Sequence, residues 1–456
     1  MNKTTKRGFA LIPIIVLFLL GAAYLIYMFA SNGAAWSSNR ANAHLFTSGK
    51  LSTAGTIYDT TGAKLSWTQD GQRKFNSSRA VRKATLHIVG DPAGVISTGA
   101  HSAYKSKLSG YNFIGGIYSL KKYGSGNDLT LAISANASVA ALNALNGYHG
   151  AVGVYNYKTG ALLCSVSAPT YDVKNPPSDP DSYDGLYLNR LFSGVYTPGS
   201  TMKIITALCA LENIPDIESH TFSCNGKVHI GGGDVICMGT HGEVGFQEAL
   251  NKSCNCAFAE IAQLLGKEKL MATARALGFN APIKTDGIQL AISTFNVSKA
   301  DALGLGWAGV GQYETLVNPC HMMMIAGAIA NGGQGISPYV IRSMKSPSGV
   351  TVYKAMTRNS AITVEATCAA KLRKLLRSNV TEQYGDSRFP NLQMCGKTGT
   401  AELDGKTSHS WFVGFSLRED LPLAVVVVAE NAGSGSGVAM NTANAVMQSL
   451  LADGIS

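Results

Sequence analysis

Three short stretches of this chain carry residue types and spacings suited to acyl transfer. The first is Tyr196-Thr197-Pro198-Gly199-Ser200-Thr201-Met202-Lys203. Pro198-Gly199 signals a turn, and the apolar run 204–212 after it reads as a buried helix. Ser200 then opens that helix, with Lys203 one turn on and on the same face. A serine hydroxyl becomes a nucleophile once a base takes its proton. A lysine whose pKa is depressed by burial and by other cations can be that base. The N–H groups at a helix start also suit a developing oxyanion. By itself the spacing is weak and more often describes an N-cap serine and a solvated lysine.

Two further stretches fit the same chemistry. Ser253-Cys254-Asn255 lies within 250–258, and in an extended loop Ser253 and Asn255 point the same way. Ser253 is then placed to relay a proton to a leaving amine, and Asn255 to hold a substrate amide and keep Lys203 in place. The plainer reading is a helix cap ahead of 257–265. Lys397-Thr398-Gly399-Thr400 reads as a strand edge. Lys397 and Thr398 offer a carboxylate a cation and a hydroxyl donor. Gly399 lets a substrate backbone come close, and the N–H of Thr400 joins that of Ser200 in an oxyanion hole. The plainer reading is an ordinary strand with a surface lysine. Other chemistries fit worse. There is no G-x-S-x-G elbow and no H-E-x-x-H, and Asn391 and Thr400 stand where a P-loop ending at Lys397-Thr398 or Lys406-Thr407 needs its first glycine. His409 reads as a strand-end histidine rather than a base.

S-x-x-K, S-x-N and K-T-G in this order are the signature of penicillin-binding proteins and serine β-lactamases. From Gly55 on, the chain resembles the class B penicillin-binding proteins, membrane-anchored DD-transpeptidases of bacterial cell-wall synthesis. Residues 55–65 look like that family's first N-terminal motif, and 157–163 and 167–172 like its first two catalytic-domain strands. Leu188-Asn189-Arg190 looks like the approach to its nucleophile, and His241-Gly242 accompanies the second motif. Residues 309–319 resemble its glycine-glutamine segment, with Tyr313 where glycine is usual. The resemblance implies a mixed α/β transpeptidase domain with a mainly antiparallel five-stranded sheet between helices. It implies that Ser200 attacks the carbonyl between the terminal D-alanines of a peptidoglycan stem peptide, and that an amine of a neighbouring stem resolves the acyl-enzyme. Lys397 and Thr398 would bind the terminal carboxylate, and β-lactams would mimic the substrate. No cofactor is implied. A membrane glycan polymerase of the shape, elongation, division or sporulation type is the implied partner; no nucleic acid is expected.

The elements that must position these motifs are partly legible. Thr-Gly turns separate apolar, β-branched runs at 55–65 and again between 151–157 and 161–167, which read as strand pairs. Residues 135–145 are alanine-rich and helical, 169–184 form a proline- and aspartate-rich loop, and 247–330 is largely helical by its apolar spacing. Strands return at 393–401, 409–417 and 421–429, and a helix at 441–451. This order suggests one sheet with helices on both faces. The expected division is a cytoplasmic tail at 1–7, a transmembrane anchor at 8–30, a small non-catalytic module at 31–128 with loops over 90–126, and a transpeptidase domain at 129–456. The short module leaves no room for a glycosyltransferase domain.

Composition sets the location. Of 456 residues 46% are hydrophobic and only 14% charged, enough for a large core. The net charge of +10, visible at Arg73, Lys74, Arg79, Arg82, Lys83, Lys105, Lys107, Lys121 and Lys122, suits an anionic membrane surface or cell wall. Residues 8–30 are uncharged and long enough to cross a bilayer, and Lys3, Lys6 and Arg7 before them place the N-terminus in the cytoplasm. A signal peptide cut near 30–35 would have a shorter apolar core. The nine cysteines leave at least one unpaired. Cys224 and Cys237 bracket a glycine-rich loop, 225–236, and in an exported domain read first as a disulfide. His229 and His241 lie nearby, but the spacing matches no established zinc pattern, so no metal is assigned. The competing functions are a β-lactamase or D,D-carboxypeptidase with water as acceptor, and a non-catalytic β-lactam sensor or scaffold. Glu314-x-x-x-Asn318 mimics the water-positioning loop of class A β-lactamases, with Val317 in place of leucine.

Overall fold

The strand Leu423–Ala429 is an unbroken apolar run buried along its whole length, as a strand covered on both faces must be. It is the middle of a five-stranded antiparallel sheet whose order is Met394–Leu403, Lys406–Ser416, Leu423–Ala429, Gly150–Asn156, Leu162–Ala168. The computed structural model describes residues 3–39, 41, 46–47, 50–51, 54–111, 126–403 and 405–456.

Alternation along each strand divides the interior into two cores. Ala151, Tyr155, Val426, Val428, Trp411 and Val413 face the helices Lys203–Asn213, Asn255–Ala276 and Pro319–Ala330. Val152, Val154, Val425, Val427 and Phe412 face the helices Ala135–Ala144 and Val438–Ala452. The expected sheet between helices is therefore present. The strand carrying Lys397 lies at its edge.

The N-terminal region departs from the expected plan. Its strand pair, Ile57–Tyr58 with Lys64–Gln69, forms around the Thr-Gly turn as read from the sequence. These strands belong to a six-stranded sheet that also takes Gln72–Phe75, Asp128–Leu131, Ile341–Lys345 and Thr351–Lys354. The boundary expected at 128/129 thus runs through a sheet and not a linker, because 341–354 returns to pair with it. Short helices, Ala100–Ala103 and Lys105–Leu108, occupy part of the expected loop region. Lys121 and Lys122 lie outside the described residues, as does part of 31–51. An apolar helix runs from Lys3 to Ser37, longer than the 8–30 span expected. Its segment Leu11–Ser37, 27 residues, is long and apolar enough to cross a membrane, and none of its most apolar window is buried against the rest of the chain.

Two elements differ from the sequence reading in ways that matter for the site. The expected loop 225–236 is a β-hairpin, Lys227–Ile230 with Gly233–Ile236. No element was expected in 331–392, yet it contains the helix Ala366–Ser378, continued by a wide turn over Asn379–Tyr384. Cys368, Ala369, Leu372, Leu375 and Leu376 are buried on that helix at helical spacing, a period the charged residues between them obscure.

A buried ion pair joins the two regions. Both carboxylate oxygens of Asp172 lie 2.6 Å from the Arg82 guanidinium, and both side chains are buried. Hydrogen bonding to Arg82 holds the Asp172 carboxyl down to about 2. A carboxylate with a depressed folded-state pKa stabilises fully above its unfolded pKa of about 4 and loses that contribution as pH falls through its folded value. Asp172→Ala, which leaves Arg82 buried without its partner, should lower unfolding stability by about 3–5 kcal/mol. Thermal unfolding at neutral pH measures the loss, and the difference between wild type and variant should shrink between about pH 4 and pH 2.

Candidate active site

The turn before Ser200 is shaped by its neighbours. Gly199 has φ +52°, and a Cβ there would lie 2.5 Å from the Thr400 carbonyl oxygen. Its N–H donates to the Gly311 carbonyl at 3.0 Å, and Tyr196 pairs with Val317 in both directions. Trp411 Nε1 donates to the Thr197 carbonyl at 3.1 Å. The turn is therefore pinned between the 309–317 segment and the sheet. Ser200 lies in a tight turn, Gly199–Met202, that runs directly into the helix Lys203–Asn213.

Lys203 is fully buried, and its Nζ lies 3.1 Å from Ser200 Oγ. It also lies 2.7 Å from the Ser253 carbonyl oxygen, 2.7 Å from Asn255 Oδ1 and 3.1 Å from Ser253 Oγ. Burial first, then the charge of Lys397, holds its ammonium well below the usual lysine range. A neutral amine has two N–H donors and one lone pair. The two carbonyl oxygens at 2.7 Å accept the two donors, which leaves the lone pair to a serine hydroxyl. The solvated-lysine alternative for this motif is thereby ruled out.

Ser253 and Asn255 converge on Lys203 for a reason different from the one expected. They do not share one side of an extended loop. Ser253 has φ +54°, Cys254 caps the helix Asn255–Ala276, and Asn255 is that helix's first residue. The helix cap and the convergence on Lys203 are thus the same structure. Asn255 Nδ2 donates to the Ile236 carbonyl at 2.8 Å, which ties the motif to the 227–236 hairpin.

Lys397 is buried, not a surface lysine, and burial pushes it down to about 7. Its Nζ donates to the Thr398 carbonyl at 3.2 Å. Gly399 serves a purpose not anticipated. A Cβ there would meet the Pro198 carbonyl oxygen at 2.8 Å and Thr201 Cγ2 at 2.9 Å, so the glycine lets the strand press against the Ser200 turn. Thr400 Oγ1 accepts the Gly435 N–H at 3.4 Å. Ser200, Ser253, Asn255, Thr398 and Thr400 remain partly exposed while the two lysines lie buried behind them.

Two supporting groups escaped the sequence reading. The Tyr384 hydroxyl accepts the Thr398 N–H at 3.0 Å and an N–H of Asn379 at 2.9 Å, and lies 2.9 Å from Thr398 Oγ1. Asn379 also donates to the Gly396 carbonyl. Glu430 accepts from Arg190 Nε at 2.7 Å and from the Tyr196 hydroxyl at 2.8 Å, which fixes the approach to the turn. Neither residue sits near a motif in sequence; only the unassigned helix before Tyr384 could have drawn attention to it.

Several secondary readings resolve. His409 Nδ1 accepts the Asn431 N–H at 3.1 Å and its ring packs edge-on against Tyr196, a structural role. Asn318 caps the helix Pro319–Ala330 and donates to the Phe192 and Gly194 carbonyls, an architectural role, while Glu314 is exposed. Tyr313 has φ +65°, a backbone that explains why glycine is usual there. In this structure Cys224 and Cys237, read first as a disulfide, stand as free thiols, as do the other seven cysteines. The hairpin brings Cys224 and Cys237 to His241 and Cys254 instead, with all four ligand atoms within 4.8 Å of one another.

Residues 150–448 match the family model described as penicillin binding protein transpeptidase domain. Across the whole of both chains the protein is 28% identical to the peptidoglycan D,D-transpeptidase PbpA of Mycolicibacterium smegmatis. It is 30% identical to PbpA of Mycobacterium tuberculosis over 66% of this chain and 67% of that one. The imipenem acyl-enzyme complex of penicillin-binding protein A from M. tuberculosis superposes with a TM-score of 0.77 at 25% identity, covering 88% of this chain and 98% of that one. A D,D-transpeptidase domain structure from Eggerthella lenta gives 0.75 at 28% identity, covering 88% and 99%. The matched residues include all three motifs gathered around Lys203, and the chain belongs to the class B penicillin-binding proteins.

Proposed function

We propose that this chain is a serine D,D-transpeptidase that cross-links peptidoglycan stem peptides and is acylated by β-lactams, with Ser200 as nucleophile. The observation that carries the reading is the buried, desolvated Lys203 amine 3.1 Å from Ser200 Oγ, within a penicillin-binding transpeptidase fold. Lys203 takes the Ser200 proton as Oγ attacks the carbonyl carbon of the penultimate D-alanine. The N–H groups of Ser200 and Thr400 receive the oxyanion. The bond to the terminal D-alanine breaks, and Ser253 passes the proton to the leaving amine. An amine of a second stem then attacks the ester and gives up its proton to Lys203, which returns it to Ser200 Oγ as the ester bond breaks, restoring the free hydroxyl and the neutral amine. Asn255 positions Lys203 and the substrate amide, Lys397 and Thr398 hold the terminal carboxylate, and Gly399 keeps their strand against the turn.

The placement in the cell belongs to the same proposal. The apolar helix anchors the chain in the cell membrane as a single pass, Lys3, Lys6 and Arg7 keep its N-terminus cytoplasmic, and the catalytic region lies outside. Residues 31–128 act as a pedestal for the transpeptidase region. A membrane glycan polymerase is the partner, by analogy with shape, elongation, division and sporulation enzymes.

Incubation of the full chain with a fluorescent penicillin should give a label stable over hours, and Ser200→Ala should give none. A label that forms and is quickly lost would instead indicate water as the acceptor. Because the Lys397 ammonium titrates at about 7, its charge is lost as pH rises. The second-order acylation constant for a carboxylate-bearing penicillin should fall with a one-proton slope above about pH 7. The saturated rate should lack that limb, since a bound carboxylate restores the ammonium. Tyr384→Phe strips the Thr398 N–H of its acceptor. It should lower the same constant about tenfold through weaker binding, with the deacylation rate unchanged.

A further inference from the structure

The strand that carries the third motif ends near an acid. Within Met394–Leu403 the sole acidic residue is Glu402, two beyond Thr400, in a chain whose net charge is +10. Its side chain is exposed. None of the ion pairs among the described residues involves it. Lys397, five residues earlier on the same strand, is the cation assigned above to the substrate carboxylate.

The strand pattern sets where Glu402 lies. Met394–Leu403 is an edge strand that pairs with Lys406–Ser416. Along an antiparallel edge, alternate residues turn their N–H and C=O groups outward. Here these are the even-numbered residues. The Gly396 carbonyl accepts from Asn379 Nδ2 at 2.6 Å, and the Thr398 N–H donates to the Tyr384 hydroxyl at 3.0 Å. Thr400 and Glu402 continue the series. The register then shifts between Ala401 and Leu403, and Glu402 has no Cα partner on the neighbouring strand. Irregularities of this kind re-aim a side chain beside a site. Ala401 is buried, so Glu402 is the first exposed side chain past Thr400.

Thr398 to Glu402 is four strand residues, about 13 Å. A donor stem with its terminal carboxylate at Lys397 and Thr398 and its scissile carbonyl at Ser200 covers about 7 Å of that length with an extended D-alanyl-D-alanine. A long side chain on the preceding residue spans the remaining 6 Å or so. We propose that Glu402 sets donor specificity by binding a cationic side chain on the residue that precedes D-alanyl-D-alanine. The inference rests on the function proposed above. A side-chain ammonium there donates to the Glu402 carboxylate while the terminal carboxylate meets Lys397, so two opposite charges of the stem match two charges of one strand. Selection follows from the same contact. An amine already spent in a cross-link is a neutral amide, so Glu402 favours donor stems whose side-chain amine is still free.

The test uses the full chain in detergent and two penicillins that differ in one group. Their 6-acylamino chain stands where the residue before D-alanyl-D-alanine would lie, and it ends either in an ammonium or in the same amine acetylated. Competition against a fluorescent penicillin gives the second-order acylation constant of each. Wild type should take the ammonium probe about fivefold faster, the size of one exposed charge pair. The ratio should shrink as ionic strength rises. Glu402→Gln should bring it near unity, and Glu402→Lys should invert it in favour of the acetylated probe. Glu402 is exposed, so these changes spare the core, and labelling by the fluorescent penicillin reports an intact site in each variant. Equal constants in wild type, or a preference that survives Glu402→Gln, overturn the proposal while leaving the transpeptidase reading in place. A wild type that no penicillin labels overturns that reading and the selection with it.

Discussion

A lysine amine held out of water is the constraint on which this structure depends. An amine with no solvent must find every partner in the protein, and a missing one costs about as much as a buried unpaired polar group. Lys203 finds oxygen from its own turn at Ser200 and from the 253–255 motif, while Phe258 of the following helix covers its other side. Burial serves the proposed chemistry directly, because desolvation lowers the proton affinity of the amine, as a general base requires. Lys397, buried nearby, strengthens the effect by repulsion.

Bringing these segments together requires backbones to approach more closely than side chains allow. The Ser200 turn, the 309–317 segment and the edge strand meet through Gly199, Gly311 and Gly399. A Cβ on Gly311 would lie 1.9 Å from the Gly199 carbonyl oxygen, and one on Gly399 would strike Pro198 and Thr201. The sheet supplies rigidity because both its faces are covered, so its edge strand holds the K-T-G residues against the turn without depending on a loop. Polar ties finish the alignment. Tyr384 fixes Thr398 from behind, and Glu430 clasps Arg190 and Tyr196 ahead of the turn.

The catalytic region and the N-terminal region are mechanically continuous. Strands Ile341–Lys345 and Thr351–Lys354 leave the helical core to complete a sheet begun by Ile57–Tyr58, and the Arg82–Asp172 pair adds a buried electrostatic tie. Ser167 Oγ donates to the Leu188 carbonyl and accepts the Arg190 N–H, which ties the strand Leu162–Ala168 to the approach to Ser200.

The sequence by itself determined the order of the three motifs, the strand pairs marked by Thr-Gly turns and the apolar helix near the start. Each of these is a local signal, a spacing or a period carried by consecutive residues. It also placed Ser200 and Lys203 correctly relative to one another, since three residues of helix fix that geometry. What it left undecided depends on segments far apart in the chain. Ser253 and Asn255 converge through a left-handed residue and a helix start, where local pattern suggested an extended loop. Tyr384 and Glu430 reach the site from helices and strands that carry no motif. The burial of Lys397, the reason for Gly399 and the meeting of Cys224, Cys237, His241 and Cys254 were likewise settled only by tertiary structure, because burial and close approach are properties of packed surfaces and no single stretch of sequence contains both sides of the contact.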